Sequence, residues 1–323
     1  MDQINYKALI VGAGDIGAGY DTPSSDQYLT YAHAFKDHSG FSLIGFVETN
    51  EKKGLVASKK WQVNFFRSIS CAFDNFKIDV VSIAVPDESH YQILKEVAKY
   101  QPKFVIAEKP LTQTISQAKE IANLYKKIPS FVNFKRRFTP EIISLKHKIK
   151  NNEFGEFRFG TAYYGKGFIH NGSHLLNLLV FLLEIKWDHF EIIDTIIDYK
   201  EDDPSVSVLL KTKGNDLSFL IKSIDQNEFT VFDFEMIFSK GKIRITDLGV
   251  EIEEYQIDQN DTFSNFSTLK LKKRYKTSLN RSMIFMVENV HKILTQEAPI
   301  PCKFNEIYKE MELAQKIINS IKR

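Results

Sequence analysis

Tyr6-Lys7-Ala8-Leu9-Ile10-Val11-Gly12-Ala13-Gly14-Asp15-Ile16-Gly17 is the stretch on which the reading of this chain turns. The apolar run Ala8 to Val11 ends in Gly12-x-Gly14-x-x-Gly17, which is the order of a strand, a tight turn and a helix start. The first glycine permits the turn, the second lets a pyrophosphate approach the backbone, and the third lets helix and strand pack closely. Amide groups at the helix start then offer N–H donors to phosphates. Gly12, Gly14, Asp15, Ile16 and Gly17 are therefore the expected cofactor-binding turn.

The alternation continues downstream. Phe41–Glu48, Asp79–Val85, Lys103–Ala107 and Ser130–Phe134 read as strands, and Tyr31–His38, Glu51–Lys60, His90–Tyr100 and Ser116–Lys127 as helices. Units of this kind build a parallel sheet covered on both faces. Beyond about residue 150 the texture changes to runs of successive strands. Arg158–Tyr164 is strand-like and Gly172–Ile185 is an apolar helix. Strands then follow at Ile192–Tyr199, Val206–Thr212, Leu217–Ile224, Phe229–Phe238 and Lys242–Thr246. Lys213-Gly214-Asn215-Asp216 and Ser239-Lys240-Gly241 have hairpin-turn chemistry. Acidic Val250–Ile257 and basic Leu269–Tyr275 read as solvated strand faces that pair by charge, with a basic stripe for a sugar-nucleotide diphosphate as the alternative, and Arg281–Leu294 and Asn305–Ile321 close the chain as helices. The fold class expected is α/β, with a doubly wound parallel sheet in residues 1–128 and a second α/β domain in 129–323.

Bulk properties narrow the classes. The 323 residues are 43% hydrophobic and 26% charged, which suits a globular chain with sizeable cores. A net charge of +2 gives no argument for nucleic acid as a partner. Cys71 and Cys302 form no Cys-x-x-Cys pair, so neither a metal site nor a disulfide framework is expected. The N-terminus lacks a basic region followed by an apolar core, and the longest apolar run, Leu178 to Leu183, is too short to span a bilayer. The expectation is a cytoplasmic protein with no membrane partner.

Four further stations carry candidate chemistry. Glu48 closes the second strand, where a carboxylate accepts hydrogen bonds from ribose hydroxyls and repels a 2′-phosphate, favouring NAD over NADP. Its distance from the glycines exceeds the usual spacing of roughly 20 residues, and an insertion at Tyr20–Thr30 explains the excess. The turn from Ala84 to His90 follows a strand and should line the cofactor groove, placing Pro86 and His90 there. Glu108-Lys109-Pro110 ends another strand, and the Lys109 ammonium is suited to stabilise a developing alkoxide. His174, in the segment Asn171-Gly172-Ser173-His174-Leu175-Leu176-Asn177, sits at a helix start that disfavours the imidazolium, so a neutral ring could act as a general base. A packed histidine satisfied by backbone groups is the alternative at that position.

In this order and spacing the stations resemble the Gfo/Idh/MocA family of oxidoreductases. Asn133-Phe134-Lys135-Arg136-Arg137-Phe138-Thr139-Pro140, Gly155-Glu156 and Gly172-x-His174 add to the likeness. The resemblance implies an N-terminal Rossmann domain, a C-terminal domain with a large, mostly antiparallel sheet used for oligomer contacts, and a bound nicotinamide nucleotide. It implies a sugar, polyol or sugar-nucleotide substrate, with Lys109 and His174 as the catalytic pair. Glu108, Lys109 and Arg137 are then expected beside the cofactor, and Tyr163, Asn171 and Asn177 beside the substrate, with Tyr164 and Lys166 as further candidates. A homo-oligomer, dimer or tetramer, is expected through the C-terminal sheet. The chain departs from the family motif in having His170 and Asn177 where carboxylates are usual. Two rival readings stay open on that account: a non-catalytic NAD- or sugar-nucleotide-binding regulator, and a redox-neutral enzyme that recycles bound NAD.

Overall fold

The first sheet of the computed structural model has six strands, all parallel. Residues 5–214 and 217–321 are described; Asn215 and Asp216 of the expected hairpin turn lie outside them. The strands are β1 (Tyr6–Val11), β2 (Phe41–Val47), β3 (Asn64–Phe66), β4 (Val80–Ile83), β5 (Phe104–Ala107) and β6 (Ser130–Val132). Their spatial order, β3-β2-β1-β4-β5-β6, is that of a doubly wound dinucleotide-binding sheet. Every residue of β4, β5 and β6 is buried, as expected where helices cover both faces. Those helices are α1 (Tyr31–Asp37), α2 (Glu51–Trp61), α3 (Ile69–Asn75), α4 (His90–Ala98) and α5 (Ile115–Leu124). Polar side chains at the helix starts accept backbone N–H groups: Thr30 from His33, Asn50 from Lys53, Ser68 from Cys71 and Thr114 from Gln117. The sequence pattern does not announce β3 and α3, because elements of three and seven residues show little periodicity.

A second sheet follows α6 (Pro140–Lys150). Its strands are β7 (Phe157–Tyr164), β8 (His189–Lys200), β9 (Asp203–Lys211), β10 (Ser218–Ser223), β11 (Phe232–Phe238), β12 (Gly241–Thr246), β13 (Glu251–Gln259) and β14 (Ser267–Lys276), with α7 (Ser173–Leu183) after β7. The order is β14-β13-β12-β11-β7-β10-β9-β8, antiparallel except for the β7–β10 pair. One face packs on α6, α7 and the C-terminal residues Ala314, Ile317 and Ile318, around Phe219, Phe234 and Met236. The charge pairing expected of the last two strands is present: Lys272 meets Asp258 at 2.6 Å, and Arg274 meets Glu253.

Contacts divide the chain into two units, Met1–Phe138 with Asn280–Lys309, and Thr139–Leu279 with Glu310–Arg323. This differs from one cut at 128/129. Pairing of β6 with β5 keeps residues up to Phe138 in the first unit. The chain then returns to that unit through α8 (Ser282–Leu294), where Asn133 Nδ2 lies 3.5 Å from Met283 Sδ and His38 Nε2 lies 2.7 Å from Glu288. The last helix, α9, spans Phe304–Ile321. Among the described residues no helix is long and apolar enough to cross a membrane.

Candidate functional site

Because the first sheet is parallel, the carboxyl ends of its strands share one edge, and ligands of such sheets bind there. The glycine turn after β1, Glu48 after β2, Pro86 after β4, Lys109 after β5 and Asn133 to Arg137 after β6 all lie on that edge. Gly12 has φ +102°, and a Cβ on it would stand 2.3 Å from Ala84 O. A Cβ on Gly17 would stand 2.2 Å from Gly12 O. A Cβ on Gly14 would meet only Lys53 Nζ, at 3.7 Å, so open space adjoins the backbone where a pyrophosphate would approach. The wide helical turn after Gly14 makes its first bonds from Ala18 and Gly19 to Gly14 O, at 2.8 and 3.1 Å. The N–H groups of Asp15, Ile16 and Gly17 precede that bonded ladder and remain donors. The turn thus fits a dinucleotide.

Glu48 is drawn toward the turn. Its Oε2 accepts the Ala13 N–H and its Oε1 accepts the Asn50 N–H, both at 3.0 Å. The segment Tyr20–Thr30 is folded around buried Asp21. That carboxylate accepts the Leu29 and Thr30 N–H groups (2.6 and 3.2 Å) and the Thr30 hydroxyl, with His33 Nδ1 at 3.1 Å. Tyr28 of this segment donates its N–H to Asn280 O and stacks on His33. Asp21 looks in the sequence like ordinary turn chemistry, and nothing in its spacing marks it as the loop's anchor.

His90 is fully buried, with Nδ1 2.6 Å from Pro110 O and Nε2 3.0 Å from Val85 O. It therefore positions the Lys109–Pro110 turn against the loop after β4, and does not face the groove as expected. The Lys109–Pro110 bond is cis. Glu108 also faces inward: its Oε1 accepts the Tyr31 hydroxyl at 2.8 Å and the Asn133 amide at 2.9 Å. Burial first, and then the Glu108 charge, hold the Tyr31 phenol well above its ordinary pKa, so it stays a donor. Lys135 is lowered by burial and by the Arg136 and Lys109 charges, with Glu108 opposing. Burial pushes Arg136 down to about 10. Lys135 thus has Arg136 and Lys109 as cationic neighbours and Glu108 as an anionic one. Lys135 and Arg136 are functional candidates the sequence reading passed over in favour of Arg137, which is half-buried.

In the second unit His174 is half-buried in the first turn of α7. The loop before it is pinned by two carboxylates. Asp198 accepts the Lys166 N–H at 2.7 Å and the Ser205 hydroxyl at 2.8 Å, holding Lys166 at φ +70°. Asp203 accepts the Ile169 and His170 N–H groups at 2.7 and 2.9 Å. Asn171 Nδ2 donates to Gly165 O at 2.8 Å, and His170 stacks on Tyr199. Asn177, expected at the substrate, is 1% exposed and donates its amide to Glu310 Oε2 at 2.7 Å, joining α7 to α9. Tyr163 is exposed, whereas the Tyr164 hydroxyl is buried and donates to Val206 O.

Burial raises the Asp203 carboxyl above the ordinary value, against the pull of its two N–H donors. A raised folded-state pKa contributes stability below the unfolded pKa that is lost as pH climbs through the folded one. Asp203→Asn should flatten that slope, while Asp203→Ala, which leaves two amides unsatisfied, should cost about 2 kcal/mol in urea unfolding. An unchanged Asp203→Ala midpoint would show that the loop does not depend on this carboxylate.

Comparison with known proteins agrees with this architecture. Residues 6–133 match the model of the Gfo/Idh/MocA oxidoreductase family, NAD-binding Rossmann fold. An uncharacterized oxidoreductase of Escherichia coli, YdgJ, is 27% identical over 96 residues, or 29% of this chain; the chain spans 28% of that relative's length. A dehydrogenase (MviM) of Clostridium difficile superposes with TM-score 0.72 at 20% identity, over 98% of this chain and 99% of that one. An oxidoreductase of Agrobacterium radiobacter, solved with NAD+, L-tartaric acid and magnesium, superposes with TM-score 0.73 at 15% identity, over 96% and 94%. At these identities the two solved structures share the fold of this chain.

Proposed function

We propose that this chain, whose residues 6–133 match the Gfo/Idh/MocA oxidoreductase family with its NAD-binding Rossmann fold, moves a hydride between a nicotinamide dinucleotide and a hydroxyl-bearing carbon of a sugar, polyol or sugar nucleotide. The observation that carries this reading is the glycine turn after β1 on the same sheet edge as Lys109 after β5. The dinucleotide supplies the two-electron acceptor, and the chain supplies orientation and proton handling. Lys109 hydrogen-bonds the reacting oxygen and stabilises its negative charge. His174 takes the hydroxyl proton as a neutral imidazole. Arg137 lies beside the cofactor, and Tyr163 and Asn171 contact the substrate, whereas Asn177 supports α7 from within. Pro86 shapes the groove, and Glu48 accepts ribose hydroxyls, the argument for NAD over NADP. The second sheet carries exposed Ile193 and Ile197 on β8, which supports a homo-oligomer formed through this sheet. The location assigned is the cytoplasm.

The test is purified protein supplied with NAD+ and a panel of sugars, polyols and nucleotide-linked sugars, read by absorbance of the reduced cofactor. Substrate-dependent reduction is expected for at least one class. Tight binding with no net reduction for every class would instead favour the regulator or a redox-neutral enzyme.

A further inference from the structure

At the edge of the first sheet opposite the glycine turn, where Pro129 leads into β6, lies a cavity of about 530 Å³. Sites for small molecules commonly enclose roughly 300–1,000 Å³. One wall is α5 with the segment after it, carrying Lys119, Lys126 and Lys127, and the other is the start of α9 with Lys303 before it. Four ammonium groups thus border one concave space, and no carboxylate lines it. Neighbouring acidic side chains are engaged elsewhere. Glu120 accepts the Tyr91 hydroxyl at 2.6 Å and pairs with Lys95 at 3.0 Å, and Glu306 turns back to accept the Lys303 N–H at 3.3 Å. Lys126, Lys127 and Lys303 are exposed, and none of their ammonium groups is paired with a carboxylate among the described residues. Aromatic rings complete the lining. Tyr125 and Phe304 are buried with ring centroids 5.0 Å apart, and Tyr308 is half-buried with Lys119 Nζ 5.7 Å from its centroid. The α9 wall is tied to the sheet, because Cys302 O accepts the Val132 N–H at 3.1 Å.

We propose that this cavity binds a small molecule carrying two or more linked phosphates, at a second site separate from the dinucleotide groove. Like charges gathered around one cleft repel one another and focus a positive field into it, which concentrates anions there. Four ammonium groups on two walls suit a ligand with several negative charges, and each phosphate oxygen that meets one gains a charge-assisted hydrogen bond. The concave shape suits a small ligand better than a flat membrane surface or a nucleic-acid duplex. An inorganic polyphosphate and a nucleoside polyphosphate share this chemistry, and the half-buried face of Tyr308 is where the base of the second would stack. None of these residues stands at the carboxyl edge of the sheet, so the proposal is independent of the hydride-transfer reading.

The experiment is calorimetric titration of the full chain with orthophosphate, tripolyphosphate and ATP, at low and moderate salt. The proteins are the wild type, Lys303→Ala, the Lys126→Ala/Lys127→Ala pair, Tyr308→Ala and Gly14→Ala. Tripolyphosphate should bind the wild type about tenfold or more tighter than orthophosphate, and added salt should weaken it. Lys303→Ala and the lysine pair should each weaken tripolyphosphate and ATP by about tenfold, while Gly14→Ala keeps tripolyphosphate within about twofold. Loss of ATP affinity alone in Tyr308→Ala would identify the ligand as a nucleoside polyphosphate, and equal affinities in that variant would identify the phosphate chain as the whole of what is read. Either result supports the site. Absence of tripolyphosphate binding to the wild type at millimolar concentration would overturn the proposal, as would binding unchanged in both lysine variants. Binding lost in Gly14→Ala and kept in the lysine variants would place the anion at the glycine turn, which overturns the proposal and leaves the functional reading standing.

Discussion

Gly12→Ala is expected to abolish dinucleotide binding and to destabilise the first unit, while Gly14→Ala should impair binding and leave the fold intact. At Gly12 the φ of +102° is hostile to an L side chain, and the added methyl would meet backbone: Ala84 O at 2.3 Å, Ala84 C at 2.6 Å and Val85 N at 2.9 Å. None of these is the flexible end of a side chain. Relief requires the turn after β1 to separate from the loop after β4, although Ala84 N–H is bonded to Val11 O at 2.7 Å. Strain and overpacking together should cost about 3 kcal/mol or more. In a unit of this size that lowers the unfolding midpoint by roughly 6–12 °C. At Gly14 the methyl meets only Lys53 Nζ at 3.7 Å, so the fold has nothing to lose. The same methyl occupies the space into which a pyrophosphate must come, and affinity should fall by about a hundredfold. Thermal melts and titration with NAD+ separate the two effects. Gly14→Ala binding like the wild type would mean that the turn is an ordinary strand-to-helix connection.

How far the sequence reveals this molecule varies with the range of the interactions. The strand–helix alternation of the first half is legible because buried parallel strands are continuous apolar runs, such as Val80–Ile83 and Phe104–Ala107. The hairpins of the second half are legible from alternation, as in Phe232–Phe238, whose burial switches at every residue. The sheet partners of β7 are not legible, since it pairs with β10 in parallel and with β11 antiparallel, and both lie more than fifty residues away. The same limit applies to the site. Glycines, Glu48 and Lys109 announce themselves at strand ends. The inward turn of Glu108 toward Tyr31 and Asn133, and the capture of Asn177 by Glu310, depend on partners that no local pattern links to them. His90 was visible as a residue of the loop after β4, but only packing reveals that both its ring nitrogens are held by carbonyls.

Lys109→Ala should reduce turnover by about a hundredfold to ten-thousandfold while NAD+ still binds within a few-fold of the wild type. The reasoning starts from the elements that hold the residue. Lys109 leaves β5 at the sheet edge, and the turn after it is fixed by His90 bonding both Pro110 O and Val85 O. Glu108, its neighbour, is held by Tyr31 and Asn133, so the two side chains of the pair have separate tasks. Removing the ammonium takes away the charge nearest the proposed reaction and leaves the glycine turn untouched. Lys135 and Arg136 remain, yet they cannot replace a donor placed at the reacting oxygen. Lys109→Arg should recover little, because a planar guanidinium does not place its donors where a compact ammonium does. His174→Gln supplies the independent half of the test. A histidine acting as base requires its neutral form, so the wild-type kcat/KM should rise with pH along an acidic limb that the glutamine variant lacks. If His174 only packs the start of α7, the variant should melt earlier and keep that limb. Wild-type turnover in Lys109→Ala would refute the assignment of the lysine, whatever the histidine does, and would direct attention to Lys135 as the cation that serves the reacting oxygen.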